Sequence, residues 1–396
     1  MTESSPAPAP VVVVTGANGL VGSRACAALV ERGATVRAVV RRPGTAPELP
    51  GVEERVGEFP DPDFASSVVE GATAVVTTVH PMGSDRETQH RVGVEGTPVI
   101  ARAAADAGVE RLVHVSTAGV YDRSPGVGDV DESSALVGDD GGAYSVTKRD
   151  TDAALADIDG ITRVLVRPPA ILGAGESSIW NTLRPADVRD DEQARHARPQ
   201  QSFAWVHVDD LTALIADLAT GRVATSDDPA TGPVAGGCTV VNVAAGPATL
   251  RDYHETVTEA VGVDPVWEDG PAWTGRILAD RARGWGWTPS VGLDQALAEI
   301  RDGLGEPDTF APDEIVHQSA LQLWAAAQTD WDPYEVPPSE WTDPVPIRDE
   351  DIAVDTVLDI EVVRESLRRL DGTRLVIGRD AGNLSVTAPI SDGSAP

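Results

Sequence analysis

Tyr144 and Lys148 are the residues in this sequence whose types and spacing best suit proton transfer. On a helix, residues four positions apart share one face. A tyrosine with a pKa of about 10 is a weak acid and a weak base at neutral pH. A lysine ammonium one turn away, together with an oxidised nicotinamide, would stabilise the phenolate and lower that pKa. The pair therefore predicts a tyrosine that exchanges a proton with a substrate oxygen.

Lys148 is also the only lysine in the chain, since all the other basic residues are arginines. The pairing role needs a compact ammonium that can contact a ribose and the tyrosine together. Arginine has a planar, forked side chain and does not easily replace lysine there. The composition therefore points to the same residue as the spacing does.

A glycine-rich turn supplies the second functional pattern. The apolar run Val11–Val14 predicts a buried strand, and Leu20–Arg32 has the apolar spacing of a helix. Glycines that follow a strand and open a helix let the backbone approach a pyrophosphate, which the helix N-terminus attracts. The sequence therefore predicts a dinucleotide site, with a nicotinamide to exchange hydride while Tyr144 moves the proton. Its expected contacts are Gly16, Asn18, Gly19, Leu20, Val21 and Gly22.

The end of the second predicted strand, Thr35–Val40, bears on the choice of cofactor. An NAD site places an acidic residue there to bind the ribose 2′-hydroxyl. This chain has Val40, followed by Arg41 and Arg42, which are suited to pair with a 2′-phosphate. The pattern favours NADP over NAD.

A hydroxyl at the carboxyl end of a central strand faces the crevice where such sheets bind ligands. Ser116 and Thr117 follow the strand Arg111–Val115. We expect Thr117 to hold the substrate oxygen beside Tyr144, with Ser116 as the alternative.

The elements that must position these residues alternate between strand and helix. Further strands are predicted at Ala74–Val79 and Ile161–Val166, and a helix at Gly96–Ala107. Repeated β-α-β units predict an α/β fold with a Rossmann-type, doubly wound parallel sheet. We expect a dinucleotide-binding domain at 11–170, with later sheet elements from 204–245. A smaller mixed α/β substrate region follows at 171–305.

In the later part of the chain, we predict a strand at Ala204–Val208 and helices at Leu211–Thr220, Leu250–Val261 and Leu293–Gly303. Residues 306–396 form an acidic extension of unknown role. It is either partly ordered or a small appended α+β module. A helix is predicted at Asp313–Gln328, and short strands at Ile352–Val363, Arg374–Gly378 and Leu384–Ala388.

The charge excludes several classes of partner. A net charge of −32 repels phosphate, so neither nucleic acid nor an anionic membrane surface is expected. We expect neither a membrane-spanning helix nor a signal peptide, because no apolar run is long enough to span a bilayer and residues 1–10 lack a basic and an apolar stretch. Cys26 and Cys238 are too few for a disulfide framework or a zinc site, so no metal is expected. We expect a cytoplasmic protein with a small-molecule substrate, and a homodimer as one open arrangement.

In combination, these segments resemble the extended short-chain dehydrogenase/reductases, the NAD-dependent epimerase/dehydratase family. The resemblance covers about residues 11–303. Besides the glycine turn and the Tyr144/Lys148 pair, it includes Ser116–Tyr121, Arg167–Gly173, Phe203–Asp210 and Gly284–Pro289.

The resemblance implies roles residue by residue. Thr117, Tyr144 and Lys148 match the catalytic triad. The expected cofactor contacts also include Lys148, Glu58 near the adenine, Thr78 and His80 near the nicotinamide ribose, and Pro168 and Ala170 beside the nicotinamide ring. The expected substrate contacts are Trp180, Asn181, Arg184, Trp205 and His207. One departure is Gly93, which stands where the family often has an asparagine that orders a relay water.

These observations predict an NADP-dependent oxidoreductase that acts on a carbonyl/alcohol pair of a small metabolite. One alternative is a nucleotide-sugar epimerase or dehydratase, in which Arg184, Arg189, Arg195 and Arg198 would bind the substrate diphosphate. Another is a non-catalytic dinucleotide-binding regulator, although such relatives commonly lack the tyrosine/lysine pair.

Overall fold

A computed structural model describes residues 9–81, 84–175, 177–304, 312–326, 346–356, 358, 360–372, 374–380 and 383–389. The chain divides into two compact units, residues 1–306 and 307–396. Each unit is described by itself.

The first unit begins with alternating strands and helices that build the larger sheet. The strands are β1 Val11–Thr15, β2 Thr35–Val40, β3 Val52–Val56, β4 Ala74–Thr77, β5 Arg111–Val115 and β6 Thr162–Arg167. The helices are α1 Leu20–Glu31, α2 Pro62–Val69, α3 Arg86–His90, α4 Thr97–Asp106 and α5 Ala143–Ala156. A π-helical turn, Arg91–Gly96, joins α3 to α4, and a 3-10 turn, Ala118–Val120, follows β5.

The rest of this unit contains short strands and further helices. The strands are β7 Ala170–Leu172, β8 His196–Ala197, β9 Trp205–His207, β10 Cys238–Asn242 and β11 Val266–Trp267. The helices are α6 Arg184–Asp190, α7 Val208–Ala219, α8 Leu250–Val261, α9 Asp280–Gly284 and α10 Leu293–Leu304. A π-helical turn, Ile179–Leu183, precedes α6, and a 3-10 turn, Glu192–Arg195, follows it.

Seven parallel strands form the main sheet in the order β10-β6-β5-β4-β1-β2-β3. Val12 and Val14 of β1 lie in one buried cluster with residues of α1 and α7. Val13, which points the other way, lies in a second cluster with residues of α2, α4 and α5. Each fully buried valine contributes about 1.5–3 kcal/mol. The predicted doubly wound α/β sheet is therefore confirmed, and helices cover both of its faces.

The strand order brings the glycine turn, Ser116 and Thr117 to the same edge of the sheet. β1 and β5 both pair with β4, so their carboxyl ends lie on either side of the end of that strand. In an open parallel sheet, ligands bind beyond these ends.

The described part of the second unit has helices and a small sheet. α11 Pro312–Ala326, α12 Asp349–Thr356 and α13 Ile360–Leu370 accompany an antiparallel sheet of β12 Ile347–Arg348, β14 Asn383–Pro389 and β13 Leu375–Asp380. Trp324, Val363, Leu367 and Leu375 lie in its own buried core. The described residues of this unit therefore have the helices and strands expected of a small appended α+β module. The role of this unit is unknown.

Several sequence-based boundaries differ from the structure. β3 and α2 were not predicted from the sequence. β3, Val-Glu-Glu-Arg-Val, is a polar edge strand without the apolar pattern of a buried strand. Trp205–His207 pairs with β7 in a separate two-stranded sheet, so only β10 of the region 204–245 joins the main sheet. The strand predicted at Ile352–Val363 is wrong, because residues 352–356 lie in α12 and residues 360–363 lie in α13.

Candidate active site

A cleft of about 420 Å³ lies at the carboxyl ends of the central strands. It brings together the glycine turn, the end of β2, the segment after β4 and the first turns of α5. Of the predicted contacts, it is lined by Gly16, Asn18, Gly19, Leu20, Val21, Gly22, Arg41, Arg42, Glu58, Thr78, His80, Tyr144, Lys148 and Trp180.

The glycine turn is shaped by two different constraints. Gly16 has φ +70°, which favours glycine, and its amide oxygen accepts from Gly19 N at 3.0 Å. A Cβ on Gly22 would lie only 2.0 Å from the Gly16 oxygen, so strand and helix meet too closely for a side chain. From the neighbouring strand end, Thr78 Oγ1 donates to Thr15 O at 2.7 Å and fixes the turn. The result is a cradle of backbone N–H groups at the start of α1 that suits a pyrophosphate.

Arg41 and Arg42 are exposed at the end of β2 and line the cleft. The loop that follows them is closed by Glu54, whose carboxylate accepts from Gly44 N at 3.0 Å and Thr45 N at 3.2 Å. These hydrogen bonds lower the pKa of Glu54 below its ordinary value. Glu58 is exposed and lines the same end of the cleft. Both arginines therefore lie at the end of the cleft that β2 forms.

Tyr144 projects from the first turn of α5 into the cleft. Its ring meets the His80 ring edge-on, with centroids 4.8 Å apart. Burial raises the pKa of Tyr144 above its ordinary value, while a hydrogen bond with Thr117 opposes this shift. In the protein without cofactor, desolvation of the phenolate has the largest effect on this pKa and exceeds the opposing hydrogen bond with Thr117. The lowering expected from Lys148 together with an oxidised nicotinamide stays a prediction.

Lys148 lies one turn further along α5 and is 4% exposed. Its ammonium donates to Val115 O, at the end of β5, at 2.9 Å. Burial lowers the pKa of Lys148 to about 8, and the charge of Asp152 opposes that shift. The ammonium is thus anchored at the cleft wall beside Tyr144, where it can face both a ribose and the tyrosine.

The two hydroxyls after β5 occupy different positions. Ser116 lines the cleft, and its buried Oγ has no hydrogen-bond partner in the described structure. Thr117 is buried behind the cleft wall, where its Oγ1 accepts from Gly119 N at 3.0 Å and interacts with Tyr144. Ser116 therefore lies on the cleft wall, and Thr117 contacts the phenol.

Most of the predicted substrate contacts lie outside the cleft wall. Asn181 Oδ1 accepts from Gly173 N at 2.9 Å, and Arg184 donates to Ala194 O at 3.4 Å. Trp205 is buried within the second half of the unit. His207 caps α7 and bonds Glu299 at 2.9 Å. These side chains are occupied by structural contacts, which sequence position alone did not reveal.

In the segment expected beside the nicotinamide ring, the residues that line the cleft differ by one position from those predicted. Pro169 and Ile171 line the cleft, whereas Pro168 and Ala170 do not. Sequence reasoning also missed Ile179 and Ser177, which line the cleft from a remote segment. Ser177 Oγ accepts from Leu20 N at 3.0 Å. No local motif marks them, since their role depends on how the chain returns over the sheet.

Two further findings concern the described residues only. No group of three or more His, Cys, Asp or Glu among them could hold a metal ion. In that same part of the chain, no helix is both long and apolar enough to cross a membrane.

Known proteins that resemble this chain bind NAD(P)H or are reductases. The NAD(P)H-binding family matches residues 16–220, just over half of the chain. A 4-hydroxy-2-methyl-3-oxo-4-farnesyl-3,4-dihydroquinoline-1-oxide ketoreductase of Stigmatella aurantiaca is 33% identical over 179 residues, which are 43% of this chain and 53% of that protein. Dihydroflavonol 4-reductase of Hordeum vulgare is 31% identical over 252 residues, 56% of this chain and 71% of that protein.

Among solved structures, a UDP-glucose 4-epimerase of Thermotoga maritima has a TM-score of 0.58 at 18% identity, covering 74% of this chain and 98% of its own. This likeness concerns the fold. The chain spans about half the length of the first curated relatives it matches.

The sheet, the cleft and these matches define an NAD(P)-binding protein of the Rossmann class. The chain belongs to the extended short-chain dehydrogenase/reductases, a family of NAD(P)-dependent oxidoreductases and epimerases.

Proposed function

We propose that this protein reduces a carbonyl group of a small, largely apolar metabolite with NADPH, and oxidises the corresponding alcohol in reverse. The observation that carries this proposal is the placement of Tyr144, Lys148 and the glycine turn in one cleft. When bound, the reduced nicotinamide supplies hydride to the carbonyl carbon.

Tyr144 is the proposed acid. Its phenol donates a proton to the carbonyl oxygen, which gains negative charge as hydride reaches the carbon. The raised pKa of Tyr144 keeps the phenol protonated before that step. Lys148 holds the ribose and stabilises the phenolate that remains. Thr117 orients the phenol and the substrate oxygen, and Ser116 is a second hydroxyl within the cleft.

NADP is the proposed cofactor because Arg41 and Arg42 line the ribose end of the cleft, and neither has an ion-pair partner in the described structure. A 2′-phosphate would give them one. Glu58 near the adenine, with Thr78 and His80 near the nicotinamide ribose, completes the proposed cofactor contacts.

The substrate end of the cleft favours reduction over nucleotide-sugar chemistry. Pro81, Val92, Ile171, Ile179 and Trp180 line it. A nucleotide sugar needs cations for its diphosphate, and the four arginines suggested for that role do not line the cleft. Arg195 donates to Val188 O at 3.1 Å, and Arg198 to Pro271 O at 3.1 Å. Arg189 pairs with Asp190 at 2.7 Å.

The test is net oxidation of NADPH at 340 nm by the purified protein with a panel of aromatic and alicyclic ketones. Tyr144→Phe should lower kcat by about 10²–10⁴-fold while NADPH still binds. Tyr121→Phe is the matched control, because its hydroxyl donates to Asn242 at 2.7 Å away from the cleft. Full turnover by Tyr144→Phe would refute the assignment. Turnover of UDP-sugars without net NADPH change would favour an epimerase instead.

A further inference from the structure

Lys148 occupies a site that is unfavourable for its charge. Its side chain is buried, and its ammonium donates a hydrogen bond to a neutral acceptor, Val115 O, at 2.9 Å. Burying an ammonium without a counter-ion costs several kcal/mol or drives the group to lose its proton. The ammonium needs its charge, because a neutral amine cannot stabilise a phenolate.

Asp152 is the carboxylate best placed to supply that charge balance. It follows Lys148 by four residues on α5, so both lie on one helix face, and it is 3% exposed. Its Oδ2 is held by Arg167, with Nε and Nη2 each 2.9 Å away. Burial raises the pKa of Asp152, while Arg167, Ser116 and Lys148 oppose that shift and favour its ionised form. Its Oδ1 lies 4.0 Å from His114 Nε2.

The other ionisable groups around Lys148 do not provide a negative charge. His114 on β5 and His80 after β4 both have lowered pKa values, because of burial and the Lys148 charge. They are therefore neutral at pH 7. Arg167 on β6 adds a positive charge beside Asp152. On α5 itself, Tyr144 is protonated at that pH.

The helical segments packed against α5 offer no substitute. The charged residues Arg86 and Glu87 of α3 are exposed. The π-helical turn presents Gly93, where an added Cβ would lie 2.8 Å from Thr151 Oγ1. Any side chain at that position would require Thr151 or the turn to move. The charged residues of the turn, Arg91 and Glu95, are exposed and are not among the groups that act on Lys148.

We propose that Asp152 is a positioning residue that keeps Lys148 protonated, and thereby sets the alkaline limit of the pH range in which the site works. Asp152 acts only through its charge and touches neither substrate nor cofactor. This inference rests on the proposed function for its consequence in turnover, whereas its electrostatic part can be measured without any substrate.

The chain allows a direct measurement, because Lys148 is its only lysine. Biosynthetic labelling with lysine carrying ¹³C at Cε gives a single lysine signal from the whole protein. Its chemical shift followed against pH reports the pKa of Lys148, which burial sets at about 8. Asp152→Asn should move the midpoint down by about one pH unit or more.

Two further variants separate charge from structure. Asp152→Glu keeps the charge and should retain the wild-type midpoint. Asp150→Asn removes a half-buried carboxylate of the same helix that pairs with Arg149 at 2.7 Å, and should leave the midpoint unchanged. If Asp152→Asn folds with an unchanged midpoint, the proposal is wrong. If it does not fold, a marked fall of the midpoint in Asp152→Glu refutes the proposal, and an unchanged midpoint supports it.

Turnover provides the second readout. The alkaline limb of the kcat/KM profile should move to lower pH with the NMR midpoint, lowering activity at pH 8 by about fivefold for a one-unit shift. A purely structural role would lower activity equally at every pH and leave the limb in place, which would count against the proposal. If no reductase activity is found at all, the NMR result still stands or falls by itself.

Discussion

Gly22 should contribute to the stability of the fold itself, and not only to cofactor binding. In Gly22→Ala, the new Cβ would lie 2.0 Å from Gly16 O, 2.7 Å from Gly16 C and 3.0 Å from Ala17 Cα. All three atoms belong to the backbone of a tight turn and cannot rotate away. Relief therefore requires α1 to move away from the end of β1 by about 1 Å or more.

The expected cost follows from two opposing effects. Overpacking costs about 1–3 kcal/mol when side chains can adjust, and the upper end applies where only backbone can move. Alanine in place of glycine within a helix returns about 1 kcal/mol at most. Gly22→Ala should therefore lower the free energy of unfolding by about 2 kcal/mol or more. The helix shift should also weaken NADPH binding.

The assay is urea denaturation followed by circular dichroism, with NADPH affinity measured by fluorescence. Gly19→Ala is the matched control, because its Cβ would meet only Gly16 O, at 3.5 Å, which is an ordinary contact. It should change the unfolding free energy by less than about 0.5 kcal/mol and weaken only dinucleotide binding. If Gly22→Ala unfolds at the wild-type urea concentration with the same slope, the steric reasoning is refuted.

Three further predictions concern separate parts of the first unit. Arg41→Ala combined with Arg42→Ala should raise the Kd for NADPH about tenfold or more and change the Kd for NADH little. Equal effects on both cofactors in a binding titration would contradict the proposed contact with the 2′-phosphate. Asp210→Ala should lower the unfolding free energy by about 3 kcal/mol, because the carboxylate accepts from Ser290 N at 2.9 Å and from Ser290 Oγ at 2.7 Å. Urea denaturation checks this, and an unchanged unfolding free energy would show that these hydrogen bonds do not stabilise the fold. The pKa of His80 is lowered to about 4, so between about pH 6.5 and 4 the unfolded chain binds a proton at this residue and the folded chain does not. The free energy of unfolding therefore falls as the pH falls through that window. His80→Gln should flatten this decline, and the same dependence of stability on pH between pH 7 and 5 would argue against the assignment.

Much of the cofactor half of the site could be predicted from the sequence, because local patterns determine it. The glycines, the strand that precedes them and the helix that follows lie within about twenty residues, so their arrangement depends little on distant contacts. The Tyr144/Lys148 spacing is likewise a property of one helix. These residues line one cleft in the structure, while their chemical roles stay predictions.

The substrate half could not be predicted in the same way. Trp205 and His207 follow a strand-like pattern, yet β9 pairs with β7 in a separate small sheet and both side chains are buried. The helix predicted at Leu211–Thr220 begins earlier, at Val208, and His207 caps it, so Asp210 lies inside α7. In each case, the orientation of a side chain depends on long-range packing that a single sequence does not encode locally.

The second unit illustrates a different ambiguity. Val363, Leu367 and Leu370 lie on one helical face and are buried, yet the residues before them alternate in polarity over a short window. Such a window fits a strand period of two as well as a helix. Only the longer spacing from Val363 onward distinguishes the helix.

The order of the strands also determines when the cofactor cradle can form as the chain folds. The glycine motif is complete within the first 22 residues, but the hydrogen bond that fixes it comes from Thr78, 63 positions after Thr15. β1 lies between β2 and β4, so its carboxyl end stays open on one side until β4 docks. Closing such a loop costs chain entropy before any contact compensates for it, and contacts of this range form slowly. A nascent chain that already contains every glycine of the motif therefore still lacks the cradle until the fourth strand has been added.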